Sequence, residues 1–337
     1  MLKLLHGDCL NTMPTLEENS VDAIVTDPPY GLSFMGKNWD HGVPGVAFWQ
    51  EALRVAKPGA HLLAFGGSRT YHRLACAIED AGWEIRDTIM WVYGSGFPKS
   101  HNVSKAIDRE AGAEREVVGT IRKTPSASSD NMHEGWRRPW AEDHPKTMDI
   151  TAPATPLARQ WDGWGTALKP AHEPIIMARK PFPGTVAQNV TTWGTGAINV
   201  DGGRVGTEQT VTHGRRNGTG NSLEWSRTTT PPNWNGGIND GRWPANLIHD
   251  GSEEAAGPLN GAARFFYCAK ASKADRDEGC GHLDLRQTIG GGGTNDPNGD
   301  DVCGKYGSVK SLARNHHPTV KPTDLMRYLV RLVTPPD

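Results

Sequence analysis

The chain has 337 residues with 40 Gly and 24 Pro, and 36% of its residues are hydrophobic. The high Gly and Pro content predicts a loop-rich protein, while 12 Trp residues exclude a chain that is disordered throughout. The formal net charge of −2 excludes a globally basic protein, so contacts with nucleic acid would depend on local Lys and Arg patches.

Cysteine usage and hydropathy indicate the compartment. The 5 cysteines include no CxxC pair, which favours a reducing environment over a disulfide framework. The N-terminal apolar stretch is too short for a signal peptide, and no apolar run approaches the ~20 residues that cross a bilayer. We therefore expect a cytoplasmic protein with no membrane partner.

Residues 1–93 alternate between segments typical of strands and segments typical of helices. Strands are predicted at 21–26, 61–65 and 85–93, and apolar positions at helical spacing predict helices over 49–56 and 71–78. This alternation predicts βαβ units, and hence a parallel sheet with helices on its faces.

The rest of the chain is less regular. Residues 94–168 lose the alternation, and a further strand is predicted at 173–178. From 184 to 307 the sequence is rich in Gly, Asn, Asp and Thr, before an amphipathic helix at 322–333. The compositional change predicts a loop-rich region between two parts of an α/β domain.

The sharpest motif is Asp27-Pro28-Pro29-Tyr30, directly after the first predicted strand. Ligands of open α/β sheets bind at the carboxyl ends of strands. A carboxylate and a proline-constrained carbonyl can each accept one N–H of an amino group, which directs the nitrogen lone pair toward an incoming methyl group. Tyr30 offers a face on which an extruded base can stack. The alternative is a simple turn, since Asp-Pro-Pro forms turns in many contexts.

Four separated segments together resemble the DNA amino-methyltransferases of the permuted, beta-type order, in which the target-amine motif precedes the cofactor motif. They are residues 6–10 (HGDCL), 27–30 (DPPY), 168–176 (LKPAHEPII) and 317–322 (HPTVKP). The resemblance covers nearly the whole chain. It implies an α/β fold with a Rossmann-like methyltransferase sheet, circularly permuted and incomplete in this chain, and a loop-rich target-recognition insertion.

The resemblance also implies a division into regions and a cellular setting. Residues 1–183 would form the first part of the catalytic methyltransferase domain and residues 184–310 a target-recognition region. Residues 311–337 would form the closing helix of the catalytic and cofactor domain, with its continuation missing. The setting would be a bacterial or phage-infected cell.

The implied cofactor is S-adenosylmethionine. Asp8 matches the acidic residue that contacts the cofactor adenine, and Thr319, Lys321 and Pro322 precede a helix whose N-terminus suits the methionine carboxylate. Two alternatives stay open: Asp8 is an N-cap, and residues 317–322 are an extended lead-in to the helix. Gly66-Gly67 either approaches the base pocket closely or forms a strand-to-helix turn.

The implied partner is double-stranded DNA, contacted by basic residues interleaved with Trp. Phosphate and base contacts are predicted for Arg215, Arg216, Arg242, Arg264 and Lys270. The alternative for each is a solvated loop face.

A metal site is not expected. Cys268, Cys280, His282 and Cys303 offer zinc-ligand chemistry, but their separations are irregular and no two cysteines form a knuckle. Buried or incidental cysteines are the default interpretation. No Pro-Cys motif for covalent attack on cytosine is present, which favours direct methyl transfer.

The predicted reaction is transfer of a methyl group to N6 of adenine in a flipped base. In the resembled family, Asp before Pro-Pro-Tyr favours adenine, whereas Ser favours N4 of cytosine. The alternatives are an N4-cytosine enzyme and a catalytically inactive DNA-binding fragment or subunit of a split enzyme. A dehydrogenase is disfavoured, because no GxGxxG follows the first strand.

The resemblance further implies an incomplete cofactor site within residues 1–337. The resembled enzymes continue, after a helix like 322–333, into a strand and a glycine-rich cofactor loop. A continuation of the chain or a second polypeptide would then supply that loop. We expect the 337-residue chain alone to bind S-adenosylmethionine weakly and to methylate nothing detectable. Titration calorimetry measures this, and a low-micromolar dissociation constant would contradict the expectation.

Overall fold

The structure is a computed structural model that describes residues 3–32, 40–94, 96, 100–122, 147–211, 238–266, 280, 286–288, 311–313 and 320–336. The helices are α1 (Cys9–Thr12), α2 (Val46–Val55), α3 (Tyr71–Asp80), α4 (Val103–Glu110), α5 (Pro156–Gln160), α6 (Val186–Trp193), α7 (Glu253–Ala256) and α8 (Thr323–Val333). The strands are β1 (Val21–Thr26), β2 (Ala56–Phe65), β3 (Glu84–Val92), β4 (Val117–Arg122), β5 (Thr147–Thr151), β6 (His172–Arg179), β7 (Val205–Val211), β8 (Ile238–Arg242), β9 (Leu247–His249), β10 (Arg286–Thr288) and β11 (Ser311–Ala313). Short 3-10 helices cover Met13–Thr15, Asp201–Gly203 and Gly257–Phe265.

The central element is a five-stranded sheet in the order β1-β2-β6-β3-β9. β1 is parallel to β2, and β3 is parallel to β9, whereas β6 runs antiparallel to both of its neighbours. The predicted α/β sheet is confirmed, but the expectation of an all-parallel sheet is wrong for β6. The chain leaves β3 and returns beside it, with the N–H of Tyr93 donating to the carbonyl of Ala171 at 2.9 Å, so β6 re-enters in the opposite direction.

This topology places the ends of several strands at one side of the sheet. The carboxyl ends of β1, β2, β3 and β9 lie at the same side of the sheet, and β6 begins there. We call this side the carboxyl edge. The Asp27-Pro28-Pro29-Tyr30 segment follows β1 directly and therefore starts at the carboxyl edge.

Alternate residues of the strands point to opposite faces of the sheet and belong to two hydrophobic cores, one on each face. On the first face, α2 and α3 cover β2 and β6 through buried residues that include Trp49, Ala52, Leu74, Ile78, Leu62, Ala64, Ile176 and Ala178. On the second face, α8 covers the sheet through residues that include Leu325, Tyr328, Leu329, Leu63, Phe65, Ile175 and Ile248. The spacing of Leu325, Leu329 and Leu332 gives α8 one buried stripe, as the sequence predicts.

The predicted elements of the main sheet and its helices all form, and the largest difference in their bounds is at the start of β2. The Lys57-Pro58-Gly59 segment predicts a helix end, and α2 does end at Val55. The same three residues already belong to β2, which was expected to begin only at residue 61. Gly59 has a φ of +80° and donates its N–H to the carbonyl of Lys180 at 3.1 Å. The glycine lies within the irregular stretch of β2 between Ala56 and His61, where its register with β1 shifts, and it allows the positive φ there.

The chain divides into two compact units, Met1–Gly96 with Ala171–Asp337, and Phe97–Pro170. In the second unit, the buried carboxylate of Asp108 accepts hydrogen bonds from the N–H groups of Ala154 and Thr155 and from Arg115. Burial raises the pKa of Asp108, but these hydrogen bonds and the Arg115 charge outweigh it and lower the pKa to about 2. One ionised side chain thus joins α4 to the start of α5.

One prediction concerns the organisation of the first unit. Residues 184–310 are predicted to form the target-recognition region, and within them β9 pairs with β3 as a strand of the main sheet. The proposed regional boundaries otherwise stay predictions. In the described part of the chain, no helix is long and apolar enough to cross a membrane.

The buried His61 on β2 predicts a loss of stability in acid. Burial, followed by the nearby charges of Arg179 and Arg86, lowers its pKa from 6.5 to about 4. The unfolded chain therefore binds a proton at a higher pH than the folded chain does. The free energy of unfolding should fall by up to about 3 kcal/mol between pH 6.5 and about 4, with no loss from this group above that window.

Urea unfolding at a series of pH values measures this contribution. In His61→Leu the fall with pH should be smaller than in the wild type by that amount. His72→Leu, at an exposed position of α3, serves as the control and should keep the wild-type pH dependence. Equal pH dependence in all three proteins would contradict the assignment.

Candidate active site

The segment after β1 is held by contacts with residues more distant in the sequence, which the local sequence does not predict. Gly31 has a φ of +67°, and a Cβ built there would lie 2.8 Å from the backbone N of Val43. The N–H groups of Gly31 and Leu32 donate to the two carboxylate oxygens of buried Asp40, at 2.7 and 3.2 Å. These contacts fix the chain direction immediately after Tyr30.

Tyr30 joins two acidic side chains at the carboxyl edge. Its hydroxyl contacts Asp27 Oδ1 at 3.0 Å and Glu173 Oε2 at 2.7 Å. Burial and the neighbouring charges of Glu173 and Asp27 raise the pKa of Tyr30 far above its ordinary value. The hydroxyl therefore stays protonated, and its one proton is shared between the two carboxylates, of which Glu173 is the nearer.

The backbone and ring of Tyr30 are also fixed. The Thr70 hydroxyl donates to the carbonyl of Tyr30 at 2.6 Å. A Cβ built on Gly67 would lie 3.2 Å from Cδ2 of the tyrosine ring. The turn after β2 thus approaches Tyr30 closely, and a glycine at position 67 leaves room for the ring.

Lys321 places a cation between the same two carboxylates. Its Nζ lies 3.0 Å from Asp27 Oδ2 and 3.1 Å from Glu173 Oε2. The side chain of Lys321 is 8% exposed, and its Nζ lies 5.3 Å from the ring centroid of Tyr30 and 5.0 Å from that of Phe65. Both oxygens of Asp27 therefore have a partner, and the orientation of this carboxylate is fixed.

Tyr93, directly after β3, is a second tyrosine that forms a hydrogen bond with Glu173. Burial, the charge of Glu173 and a hydrogen bond to Glu173 raise the pKa of Tyr93 to about 12. Asp250, directly after β9, accepts the N–H of Gly94 through Oδ2 at 3.1 Å and the N–H of Ser252 through Oδ1 at 2.9 Å. The residues that follow β1, β3 and β9 thus line or brace one site at the carboxyl edge.

The predicted cofactor residues that the structure describes contact different parts of the chain. Asp8 is exposed and accepts the N–H of Leu10 at 2.8 Å, so it caps α1, which is the alternative raised by its sequence context. Pro322 is buried at the N-cap of α8, and Thr319 lies outside the described residues. An exposed carboxylate suits an adenine amino group, but the ammonium of Lys321 is engaged by Asp27 and Glu173. The roles of Asp8, Thr319, Lys321 and Pro322 toward the cofactor stay predictions.

Most of the predicted DNA contacts lie outside the described residues. Arg242 is exposed at the end of β8, next to the 61% exposed Trp243, whose ring lies 5.5 Å from the guanidinium carbon of Arg204. The side chain of Arg264 and the whole of Arg215, Arg216 and Lys270 lie outside the described residues. Of the cysteines weighed for zinc, Cys280 is described, and no cluster of metal-ligating side chains occurs among the described residues.

Sequence reasoning missed Glu173, Tyr93 and Asp40 as site residues. Glu173 belongs to a segment that carries the resemblance, yet it was interpreted only as the start of a strand. A charged residue before a buried aliphatic run is the signal that could have identified it. Asp40 and Tyr93 carry no comparable local signal.

The family is identified by a match that covers most of the sequence. A family model described as DNA methylase, of the N6 and N4 methyltransferases, matches residues 21–337. The chain therefore belongs to this family, whose members use S-adenosylmethionine. The family confirms the resemblance and the Rossmann-like methyltransferase fold.

Individual relatives are more distant. The chain is 30% identical over 117 residues to the type II methyltransferase M.HpaI of Haemophilus parainfluenzae, covering 32% of this chain and 36% of that protein. It is 21% identical over 240 residues to M.HindIII of Haemophilus influenzae, covering 58% of this chain and 64% of the relative. The chain thus spans less than two thirds of the length of either relative.

Two solved structures resemble the chain. One is the cytosine-N4-specific PvuII DNA methyltransferase, with 12% identity, a TM-score of 0.38, and coverage of 98% of this chain and 70% of that chain. The other is the M1.HpyAVI–SAM complex, with 16% identity, a TM-score of 0.26, and coverage of 54% and 56%.

Proposed function

We propose that the protein methylates N6 of adenine in double-stranded DNA, by direct transfer from S-adenosylmethionine to a base extruded from the helix. The observation that carries this proposal is the carboxylate of Asp27, which is fixed through both oxygens at the carboxyl edge. Membership of the DNA methylase family supports methyl transfer to an exocyclic amine. The identity of Asp27 favours adenine over cytosine.

The chemistry required of this chain is to orient a weakly nucleophilic amine. Asp27 and the Pro28 carbonyl would each accept one N–H of the target amino group, which leaves the lone pair directed at the methyl group. The cofactor, when bound, supplies that methyl group in electrophilic form. The negative charge of Asp27 stabilises the positive charge that develops on nitrogen, and the ring of Tyr30 provides stacking area for the base.

On the cofactor side, Asp8 is proposed to accept a hydrogen bond from the amino group of the cofactor's adenine. Thr319, Lys321 and Pro322 are proposed to lie close to its methionine end. On the DNA side, Arg215, Arg216, Arg242, Arg264 and Lys270 are proposed to contact phosphates and bases. The exposed Arg242 and Trp243 support this for the end of β8.

Asp27→Ala should lower the methylation rate by more than about 10²-fold, because the residue acts on the amine in the transition state. DNA binding should change little. The assay uses the complete gene product that contains residues 1–337, tritiated cofactor and unmethylated genomic DNA. Asp22→Ala, on the same strand but paired with Lys57, is the control and should keep wild-type activity.

Nucleoside analysis of the methylated DNA identifies the product base. N6-methyladenine is expected. N4-methylcytosine would replace the adenine assignment with the alternative N4-cytosine activity. Full activity of Asp27→Ala would remove Asp27 from the reaction altogether.

Neutralising an arginine that contacts phosphate should weaken DNA binding and its dependence on salt. For Arg242→Gln, Arg215→Gln and Arg216→Gln, the slope of log K against log salt should each become shallower by about 0.9 per lost phosphate contact. Arg86→Gln, near the start of β3 and away from the carboxyl edge, is the matched control. Fluorescence anisotropy with a labelled duplex measures the slopes. Unchanged slopes in all three variants would exclude these residues from the phosphate contact surface.

A further inference from the structure

Two carboxylates from strands that are not neighbours share one hydroxyl and one ammonium. Asp27 follows β1 and Glu173 lies at the start of β6, and β2 runs between these strands. The Tyr30 hydroxyl and Lys321 Nζ each contact both carboxylates at 3.1 Å or less. We call Asp27, Glu173, Tyr30 and Lys321 the clamp.

The formal charges of the clamp are balanced in a specific way. Two carboxylates and one ammonium leave one net negative charge. Without Lys321, two like charges would face each other across a single hydroxyl at a partly buried position, which is unfavourable. Without Glu173, the ammonium would attract Asp27 alone and cancel the negative charge that the reaction requires. The arrangement therefore keeps Asp27 in place and leaves the site anionic.

We propose that Glu173 is a positioning residue, which acts through Tyr30 and Lys321 to hold the Asp27 carboxylate toward the target amine. This inference rests on the proposed function and deepens it. Among the described residues, Glu173 is linked to Asp27 through these two shared partners, and it also accepts a hydrogen bond from the hydroxyl of Tyr93. Lys321 accordingly helps to hold the carboxylate of Asp27 in position.

Glu173→Gln should lower kcat by about tenfold to a hundredfold, because it removes the negative charge that offsets Lys321. The KM values for DNA and cofactor should stay within about twofold, so that kcat and kcat/KM fall together, as expected for an effect on the transition state. Glu84→Gln is the matched control: it removes a carboxylate that pairs with Arg179 at 2.8 Å, on the same β3–β6 strand pair, at the opposite edge of the sheet. It should keep wild-type kinetics.

A double variant separates a positioning role from a general loss of structure. Lys321→Met leaves the clamp with two net negative charges, whereas Glu173→Gln leaves it neutral. The double variant returns it to one negative charge and keeps the contact between Tyr30 and Asp27. Its loss of kcat should therefore be smaller than the product of the two single losses. A purely multiplicative loss would overturn the proposal, and thermal unfolding of each variant confirms that it is folded.

A measurement independent of activity uses ring-fluorinated tyrosine and fluorine NMR. Tyr30→Phe and Tyr93→Phe assign the two resonances. Both should shift in Glu173→Gln and stay in place in Glu84→Gln, because Glu173 accepts a hydrogen bond from each tyrosine. Unchanged resonances in Glu173→Gln would overturn the clamp.

The two measurements distinguish failure of this inference from failure of the proposed function. If the wild type transfers no methyl group, the proposed function is wrong, and the fluorine spectra alone decide about the clamp. If the wild type is active and Glu173→Gln has the same kcat, the positioning role is wrong and the methyltransferase activity stands.

Discussion

The rest of the site depends on the two ion pairs that the ammonium of Lys321 forms. This ammonium joins side chains of three separate parts of the chain, and it contacts Asp27 and Glu173 at 3.0 and 3.1 Å. A partly buried carboxylate pair is unfavourable unless a cation compensates for the desolvation and repulsion of its members. The hydroxyl contacts of Tyr30 and Tyr93 follow, since both tyrosines bind carboxylates whose positions are fixed by the contacts with Lys321.

The direction of β6 is what brings Glu173 to this cation. Glu173 is the second residue of β6 and lies opposite Trp91, near the end of β3. Had β6 run parallel to its neighbours, its start would lie at the amino ends of β1, β2 and β3, far from Asp27. One antiparallel strand within a mostly parallel set therefore supplies an acidic residue from the beginning of a strand to a site otherwise built from strand ends.

The sequence predicts those features that depend on local patterns. The strand before Asp27, the helices with apolar stripes and the amphipathic α8 each follow from the spacing of residues within one segment. The direction of β6 does not, because a strand buried on both faces reads as the same aliphatic run in either direction. The partners of Lys321, and the contact between Tyr30 and Glu173, separated by 143 positions, depend on the tertiary fold. Asp40 is likewise recognisable only once the loop has closed on it.

The hydrogen bond between Tyr93 and Ala171 bears on how freely the intervening segment can change in length. It brings together the two points at which Phe97–Pro170 leaves and rejoins the sheet. A segment whose ends are this close can be lengthened, shortened or exchanged without moving either strand, because the sheet requires only that the chain turn back. We therefore expect changes in the length of this segment to leave the pairing of β3 with β6 intact.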